Sequence, residues 1–412
     1  MLMNSCDFLV IGAGIIGTNI ARELKARHPG ASVRVIDKET RPGAHASGRN
    51  SGVLHAGFYY TADSLKARFT REGNEALTAY CLDRGIPLNR CGKLVVARNE
   101  AEDRMLDELL RRGRANGVRL EEVDAQQARE IEPRAKTWRR AIFSPTTSSA
   151  DPQQVLERMV GEAQDAGVHF GFATAYAGVK GGVVSTNRGK ISAGYVVNAA
   201  GLYADRIARD FGFSRHYTIL PFKGLYLKSE EPPGSYRVHI YPVPDLNYPF
   251  LGVHFTIKVD GTAKIGPTAI PAFWREQYNG FERFQLDEFA DITRRSMGLL
   301  IHSRFGFTRL AISELRKYSR RRMVALARDL VHDLDPSRFK AWAKPGIRAQ
   351  LYDLRKGKLE MDFVLEGDGR SMHVLNAVSP GWTCSIPFAR HVVDQIEVHG
   401  AATGMVAGTD AA

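Results

Sequence analysis

Three glycines near the amino terminus have the spacing of a turn that binds phosphate. The apolar run 7–11 leads into Gly12, Gly14 and Gly17, which are followed by apolar residues at helical spacing. In such a turn, the first glycine permits the sharp exit from a strand and the second lets the backbone approach a pyrophosphate. The third lets the next helix pack on the sheet with its amino terminus toward the phosphates.

A carboxylate at the end of the next apolar run completes this pattern. Asp37 follows the run 33–36, where it can accept hydrogen bonds from ribose hydroxyls. The three glycines alone also occur in ordinary glycine-rich turns, so the flanking strand, the helix pattern and the acid are needed together. Together they predict a dinucleotide site, whose further contacts we expect at Ile15, Ile16 and Lys38.

The stretch after Asp37 favours a flavin over a nicotinamide. An NAD domain usually continues with another strand and helix, whereas residues 41–60 are small and polar and have neither period. Small side chains and glycines let backbone amides lie against a flat ligand. The alternative is an ordinary surface loop. The cofactor contacts expected in this stretch are Ser47, Asn50, Ser51, Gly52 and Val53.

Two later strand-to-helix turns extend the same site. The apolar run 195–199 closes on Ala200 and Gly201, before a helix predicted over 202–211. A strand predicted over 373–375 leads to a second turn and a second helix. Turns this far apart indicate one cofactor domain assembled from separated segments. The remaining expected contacts are Ala175, Gly381, Trp382, Thr383 and Cys384.

Five segments carry a family resemblance across nearly the whole chain. They are residues 50–57, 91–96, 240–245, 249–256 and 345–350. In this order they resemble the L-2-hydroxyglutarate dehydrogenase/oxidase family, within the flavoproteins that are similar to D-amino-acid oxidase and glycine oxidase. The resemblance implies FAD, and hydride transfer from Cα of L-2-hydroxyglutarate to flavin N5, giving 2-oxoglutarate. Trp382 departs from the small residues common there in the family, which bears on substrate range and electron acceptor.

Such a reaction needs a base and an anchor for the carboxylate. His55 and His254 are the candidate bases, because histidine titrates near neutrality. A structural role is the alternative for each, and a covalent link to the flavin is a further one for His55. Arg348 is the preferred anchor for the α-carboxylate, since a guanidinium matches a carboxylate in two places, the alternative being a salt bridge between domains. Candidates for the second carboxylate, each as readily structural, are Lys223, Tyr241 and Arg49.

Other functions fit the same residues. The closest alternative keeps FAD but oxidises an amine or amino acid, as glycine oxidases do, or another L-2-hydroxy acid. A third is a flavin-bound protein whose basic helices dock on a membrane or a partner, without turnover. We expect oxygen or a membrane quinone as the electron acceptor of the enzyme.

These landmarks predict an α/β architecture with two domains. A Rossmann-type FAD-binding domain would combine residues 1–85, 150–215 and 335–400. A substrate domain would combine 86–149 and 216–334, with a mainly antiparallel sheet and a helical insertion, since β-rich runs there are separated by Pro-Asp and Asp-Gly turns. Residues 401–412 are small and are expected to form a disordered tail.

Charge is concentrated in one segment of the 412-residue chain. Residues 294–328 hold ten basic residues and one acid, out of a net charge of +12. Interleaved apolar residues predict basic amphipathic helices, which either face solvent or contact an anionic membrane; no nucleic-acid motif accompanies them. There is no spanning apolar run and no signal-peptide pattern, and the four cysteines have neither metal nor disulfide spacing. We expect a cytoplasmic protein, at most associated with the inner face of the membrane.

Overall fold

The computed structural model describes residues 4–246, 251–301 and 313–402. Several sequence predictions concern residues outside these ranges. They concern Pro249 and Phe250 of one family-like segment, Arg304 and Arg309 of the basic segment, and residues 403–412 of the expected tail.

The described residues contain nine α-helices. In chain order they are α1 (Ile15–Arg27), α2 (Leu65–Asp83), α3 (Glu100–Ala115), α4 (Ala125–Ile131), α5 (Pro152–Asp165), α6 (Ala204–Asp210), α7 (Leu286–Ile301), α8 (Arg320–Arg328) and α9 (Ser385–Ala402). Short 3-10 helices span Gly201–Tyr203, Arg316–Tyr318 and Pro336–Arg338. Helix α9 therefore extends two residues into the expected tail.

The described strands number twenty-two. The first eleven are β1 (Asn4–Ile11), β2 (Val33–Ile36), β3 (Val53–Leu54), β4 (Leu88–Asn89), β5 (Lys93–Val96), β6 (Glu121–Asp124), β7 (Arg140–Ser144), β8 (Ser148–Ala150), β9 (His169–Gly171), β10 (Tyr176–Lys180) and β11 (Val183–Thr186). The others are β12 (Gly189–Asn198), β13 (Tyr217–Gly224), β14 (Leu227–Lys228), β15 (His239–Pro242), β16 (His254–Ile257), β17 (Ala263–Gly266), β18 (Ile270–Pro271), β19 (Gly346–Asp353), β20 (Lys358–Leu359), β21 (Val364–Gly367) and β22 (Ser371–Asn376).

The chain divides into two compact units. The first unit takes its described residues from Met1–Asn50, Pro152–Leu220 and Ala349–Ala412. The second unit takes its described residues from Ser51–Asp151 and Pro221–Arg348.

A parallel sheet forms the centre of the first unit. Strand β1 lies between β12 and β2, with both of which it is parallel, and β9 and β22 continue the parallel arrangement outside them. Antiparallel strands β10, β11 and β21 complete eight described strands. Helix α1 connects β1 to β2 and packs against α5 and α9. This topology confirms the predicted Rossmann-type domain assembled from separated segments.

A mainly antiparallel sheet forms the second unit, as predicted. Its seven described strands lie in the order β14-β17-β16-β15-β5-β7-β6, and only the β15–β5 pair is parallel. One face packs against an apolar core that includes Leu94, Ile240 and Phe255. Helix α3 begins where the Asn99 side chain accepts from the Glu102 amide, and its acidic first turn and basic last turn suit the helix dipole.

The unit boundaries differ from the predicted domains most in two segments, with shifts of at most five residues at 150–151 and 216–220. Residues 51–85 lie in the second unit because Val53 and Leu54 pair with β8, and Asn74 of α2 donates to the Leu54 carbonyl at 3.0 Å. Residues 335–348 also lie there, since the Ala343 amide donates to the Tyr226 carbonyl at 2.8 Å. Long-range pairing decided both memberships, and these pairs are far apart in the sequence.

The described part of the basic segment forms helices. In α8, Met323, Val324 and Ala327 are buried in the apolar core, while the four arginines of the helix are exposed. Arg294 and Arg295 of α7 both pair with Asp291. Within the described ranges, no helix is both long and apolar enough to cross a membrane.

Candidate active site

The strand-to-helix turns of the first unit meet at one edge of its sheet. Ile11 at the end of β1 pairs with Ile36 and Asn198, and Asn198 pairs with His373 of β22. Since these strands are parallel, their carboxyl ends lie side by side. We call this set of strand ends and the turns that follow them the nucleotide edge.

The turn after β1 requires glycine at two positions. Gly12 has a φ of +111°, and a Cβ there would lie 2.5 Å from the Ala199 carbonyl oxygen. A Cβ on Gly17 would lie 2.0 Å from the Gly12 carbonyl oxygen. Side chains at these positions would therefore separate α1 from the sheet. Gly14 lies at the N-cap of α1, which leaves the helix amino terminus without a side-chain cap.

Asp37 and Ser47 hold this turn in place. The Asp37 carboxylate accepts from the Ala13 amide at 2.7 Å, and the Ser47 hydroxyl accepts from the Ile15 amide at 2.9 Å. A carboxylate oxygen that accepts one hydrogen bond retains a lone pair for a second donor, such as a ribose hydroxyl. Ile16 lies in the first turn of α1, and Lys38 pairs with Glu39.

Other predicted contacts of the first unit lie around the same edge. Asn50 donates to the Ser47 carbonyl at 2.8 Å, and Arg49 donates to the Ala44 carbonyl at 2.6 Å. Ala175 follows directly on Thr174, whose amide donates to the Asp37 carbonyl. Ala200 and Gly201 begin the turn after β12, and a Cβ on Gly201 would meet no atom within 4 Å.

The turn after β22 is tightly packed. A Cβ on Gly381 would lie 2.2 Å from the Ala377 carbonyl oxygen, and Thr383 and Cys384 are buried. The indole nitrogen of Trp382 is buried without a hydrogen-bond partner among the described residues. A helix amino terminus behind a glycine turn, a carboxylate and an unpartnered indole N–H suit the phosphate, ribose and polar ring atoms of a dinucleotide, so the residues present fit FAD.

Three predicted cofactor contacts lie in the second unit, and their contact with FAD stays a prediction. Ser51, Gly52 and Val53 begin that unit, and the Gly52 carbonyl accepts from the Ala150 amide at 3.0 Å. The sequence placed them on the loop that carries Ser47 because the polar stretch is continuous. The structure separates them where β3 starts to pair with β8.

One face of the sheet in the second unit is polar although it is buried. Side chains alternate along a strand, and the register places the alternate residues of three strands on the face opposite the apolar core. Each of these residues is less than 4% exposed. The set, which we call the polar face, comprises Lys93, His239, Tyr241, His254 and Thr256.

His254 has a defined hydrogen-bonding state on the polar face. Its Nδ1 lies 2.8 Å from the Gly252 carbonyl oxygen, which can only accept, so Nδ1 carries the proton. In the neutral ring, Nε2 then bears the free lone pair. Burial holds the pKa of His254 well below its usual value, and the ring stacks on Tyr241 at a centroid distance of 3.7 Å. His254 is therefore an oriented neutral imidazole whose Nε2 can accept a hydrogen bond.

His239 has the opposite arrangement. Its Nδ1 accepts from the Ile257 amide at 3.0 Å, so the proton of the neutral ring lies on Nε2. Burial and the nearby Lys93 lower the pKa of His239 to about 3, although the Ser148 backbone opposes this shift. His239 therefore stays neutral and can serve as a donor.

His55 and Arg348 lie electrostatically close to the polar face. Burial lowers the pKa of His55 far below its usual value, and Lys93, His239 and Arg348 lower it further. Arg348 also lowers the pKa of His254. Three predicted residues, His55, His254 and Arg348, are thus close enough to interact electrostatically. Tyr241, a predicted substrate contact, belongs to the same group because its ring stacks on His254.

Lys223 and Arg49, the other predicted substrate contacts, have their described contacts elsewhere. Lys223 of β13 pairs with Ile270 of β18, and the Lys223 carbonyl accepts from the Thr268 hydroxyl at 2.8 Å. Burial lowers the pKa of Lys223, while Glu282 opposes this shift. Arg49 belongs to the loop of the first unit that contains Ala44. A role for either in substrate binding stays a prediction.

Sequence reasoning missed Lys93 and His239. Lys93 lies inside a family-like segment and His239 directly precedes another, but neither was assigned a role. Both occupy alternate positions in short apolar strands, where a buried polar residue is unusual. The alternation of polar and apolar residues in these strands could have indicated a buried polar face. Only the strand register shows that Lys93 and His239 lie side by side on it.

Sequence comparisons identify relatives over nearly the full chain. Residues 7–395 match the family model described as FAD dependent oxidoreductase. The chain is 37% identical to the mitochondrial L-2-hydroxyglutarate dehydrogenase of Nematostella vectensis, covering 94% of this chain and 90% of the relative. It is 35% identical to the L-2-hydroxyglutarate dehydrogenase of Escherichia coli strain K12, covering 95% and 93%, respectively. For the human mitochondrial enzyme of that name, the identity is 35%, with coverages of 96% and 89%.

Solved structures share the fold at lower identity. The L-alpha-glycerophosphate oxidase from Mycoplasma pneumoniae, solved with FAD bound, superposes with a TM-score of 0.76 at 21% identity, covering 96% of this chain and 95% of that one. Glycine oxidase from Geobacillus kaustophilus gives a TM-score of 0.72 at 20% identity, with the same coverages. Both likenesses concern the fold.

Proposed function

The chain belongs to the L-2-hydroxyglutarate dehydrogenase family of FAD-dependent oxidoreductases, and on this premise we propose that it oxidises L-2-hydroxyglutarate to 2-oxoglutarate. The observation that carries the proposal is the oriented neutral His254 on a buried polar face that Arg348 influences electrostatically. A 2-hydroxy acid needs both groups, since its hydroxyl must lose a proton while its carboxylate is held.

His254 acts as the base in this proposal. Its Nε2 lone pair accepts the proton of the C2 hydroxyl, because Nδ1 is committed to the Gly252 carbonyl. Burial holds the pKa of His254 well below its usual value, so the ring is neutral at physiological pH and Nε2 is unoccupied by a proton. Stacking on Tyr241 fixes the plane of the ring.

The cationic groups hold the substrate and favour the ionised hydroxyl. Arg348 pairs with the carboxylate next to C2, which it can contact through two parallel hydrogen bonds. Arg348 also lowers the pKa of His55, and His55 is the alternative base in this proposal. As the proton leaves, C2 gives up a hydride and its bond to oxygen becomes a carbonyl. FAD, when bound, supplies the acceptor for that hydride.

The nucleotide edge holds the cofactor. The amino terminus of α1 takes the pyrophosphate and Asp37 takes the ribose, while the glycine turn gives the backbone close access. The turn from Gly381 to Cys384 supplies further contacts, among which Trp382 offers its unpartnered N–H.

Anaerobic reduction of the holoenzyme tests the proposed reaction. L-2-hydroxyglutarate should bleach the flavin absorbance at about 450 nm, and 2-oxoglutarate should form in equal amount. The D-enantiomer and glycine are the controls, since glycine reports amine oxidation. A flavin that stays oxidised with L-2-hydroxyglutarate would contradict the proposal, and bleaching by glycine would favour the amine oxidase alternative.

The electron acceptor is a separate part of the proposal. We expect oxygen or a membrane quinone to reoxidise the flavin, and the exposed arginines of α8 to attract an anionic membrane. Oxygen consumption compared with reduction of a soluble quinone distinguishes the acceptors. Sedimentation with anionic vesicles at low and high salt tests the contact, which should be lost when Arg320, Arg321 and Arg322 are replaced together.

A further inference from the structure

Lys93 is a buried basic residue that has no role in the proposed reaction as described above. The side chain is fully buried in β5, between Ser144 of β7 and His239 of β15. Its Nζ has no hydrogen-bond partner among the described residues. An ammonium group has three donors, and burying it unpaired is unfavourable. The position therefore calls for an acceptor that the described chain does not provide.

Aromatic rings surround Lys93 in place of a counter-ion. Its Nζ lies 4.5 Å from the ring centroid of Phe58, 4.6 Å from that of Tyr59 and 5.0 Å from that of Tyr241. The faces of these rings stabilise the protonated amine, which opposes the lowering of its pKa by burial. Such a cage orients the ammonium but leaves its three hydrogen bonds unmade.

The electrostatic surroundings of Lys93 are positive. The charged groups that shift the pKa of His239 are Lys93 and Lys264, and those that shift the pKa of His55 include Lys93 and Arg348. Burial lowers the pKa of Lys93 itself to about 7. Concentrated buried positive charge of this kind attracts an anion.

Three buried hydroxyls lie on the polar face or beside Lys93. That of Tyr59 makes no hydrogen bond with a described residue, while those of Tyr241 and Thr256 are close enough to share one. Thr256 lies near enough to Tyr241 to oppose the rise in its pKa that burial causes. An ammonium group and several hydroxyl donors together suit a carboxylate, which has about four acceptor positions.

The geometry points to Lys93 as the group that binds the distal carboxylate of L-2-hydroxyglutarate, remote from the reacting carbon. This inference rests on the proposed function. Tyr241 lies between the two ends, since its ring stacks on His254 at 3.7 Å and is 5.0 Å from the Lys93 ammonium. Arg348, which acts on His254, takes the carboxylate beside the reacting carbon. Lys93 thereby selects dicarboxylates over monocarboxylates.

Equilibrium binding of two product analogues tests this assignment without turnover. Calorimetry on the oxidised holoenzyme would compare 2-oxoglutarate with 2-oxobutyrate, which lacks the distal carboxylate. In Lys93→Met, we expect 2-oxoglutarate to bind about 100-fold more weakly, because a buried charge pair is lost. Binding of 2-oxobutyrate should be nearly unchanged. Lys258→Met is the matched control, since Lys258 is half-exposed and pairs with Asp260.

Proton uptake on ligand binding can be measured on the wild type. This test does not require the Lys93→Met variant to fold. At pH 8, Lys93 is largely neutral, while burial keeps His55, His239, Tyr59 and Tyr241 neutral as well. Binding of 2-oxoglutarate should then take up about one proton more than binding of 2-oxobutyrate. Burial also lowers the pKa of Lys264 to about 8, so Lys264→Met is measured alongside, and in it the difference in proton uptake should persist. Proton uptake is obtained by calorimetry in buffers of different ionisation enthalpy.

The possible outcomes separate the two proposals. If Lys93→Met weakens both ligands equally, or if proton uptake is the same for both, the assignment of Lys93 is overturned. A wild type without preference for 2-oxoglutarate overturns it too. If the preference and the proton uptake are found but L-2-hydroxyglutarate does not reduce the flavin, Lys93 still binds dicarboxylates and only the proposed reaction fails.

Discussion

The nucleotide edge of the first unit is built from backbone and small residues, whereas the polar face of the second unit is built from large polar side chains. At the edge, Gly12 and Gly17 let main-chain atoms approach closely. On the face, His239 and His254 are buried with a defined site of protonation, and Lys93 is buried with a pKa lowered to about 7. We infer that changes at the edge act through packing and cofactor retention, while changes on the face act through proton transfer and charge.

Replacing the base should give the largest effect. We expect His254→Ala to lower kcat/KM for L-2-hydroxyglutarate by about 10³-fold, because general base catalysis is lost. FAD content should be unchanged, since His254 lies in the second unit and the glycine turn in the first. Stopped-flow reduction measures the effect, with the exposed His332→Ala as control. A loss below tenfold would assign the proton transfer to another group, for which His55→Ala is the next variant.

The pH dependence of flavin reduction in the wild type is a second test of His254 as the base. Because burial lowers the pKa of His254 well below 6.5, the free base persists as the pH falls from 8 to 6. The rate of flavin reduction at saturating substrate should therefore show no decrease assignable to a histidine in that range. A decrease centred near the ordinary histidine pKa would show that a solvated imidazole is the base.

A methyl group in the glycine turn should produce the next largest effect. The Cβ of Gly17→Ala would lie 2.0 Å from the Gly12 carbonyl oxygen, so backbone must move. We expect the free energy of unfolding to fall by about 3 kcal/mol and most of the FAD to be lost. Gly30→Ala is the control, since a Cβ there meets no atom within 4 Å. Equal FAD content and unfolding midpoints in both variants would contradict close packing at the edge.

Removing the buried cation should stabilise the protein when no ligand is bound. Burial lowers the pKa of Lys93 from 10.5 to about 7, so between these values the unfolded chain binds more protons than the folded one. The stability of the wild type should thus rise with pH across this window. We expect Lys93→Met to be more stable by about 2–4 kcal/mol at pH 7, a difference that shrinks toward pH 10. Denaturant unfolding of the ligand-free holoenzyme, with Lys258→Met alongside, measures it.

The smallest effect concerns the acid of the nucleotide edge. Asp37→Asn keeps one oxygen that can accept from the Ala13 amide but removes the charge. FAD affinity should fall about tenfold, because hydrogen bonds to a charged acceptor are stronger than those to a neutral one. Fluorescence titration of the apoprotein with FAD provides the value. Unchanged affinity would show that Asp37 acts only in holding the turn.

The two regions also differ in how far the sequence predicted them. Gly12, Gly14, Gly17 and Asp37 lie within one short stretch, so a strand–turn–helix pattern was sufficient to place them. Ser51, Gly52 and Val53 lie in the second unit, which the sequence did not indicate, because the polar composition continues past the residue where β3 begins to pair with β8. Composition does not mark such a boundary, since it is set by a partner strand about a hundred residues away.

For the polar face, the sequence indicated some of the functional residue types but not which residues lie next to one another. His254, Tyr241 and Arg348 were singled out, while Lys93 and His239 were passed over inside short apolar strands. Each strand is only four residues long, so its alternation is too brief to show which face is buried. The parallel pairing of β5 with β15 then placed the two residues together.

The sequence by itself determined the fold class, the glycine turn with its acid, the mainly antiparallel second sheet and the family, because these follow from local pattern and ordered motifs. Only the tertiary structure decided which unit holds residues 51–85, which nitrogen of each histidine carries the proton, and that Lys93 is a buried cation with unmade hydrogen bonds. These properties depend on register and burial, which arise from contacts between segments that are distant in the chain.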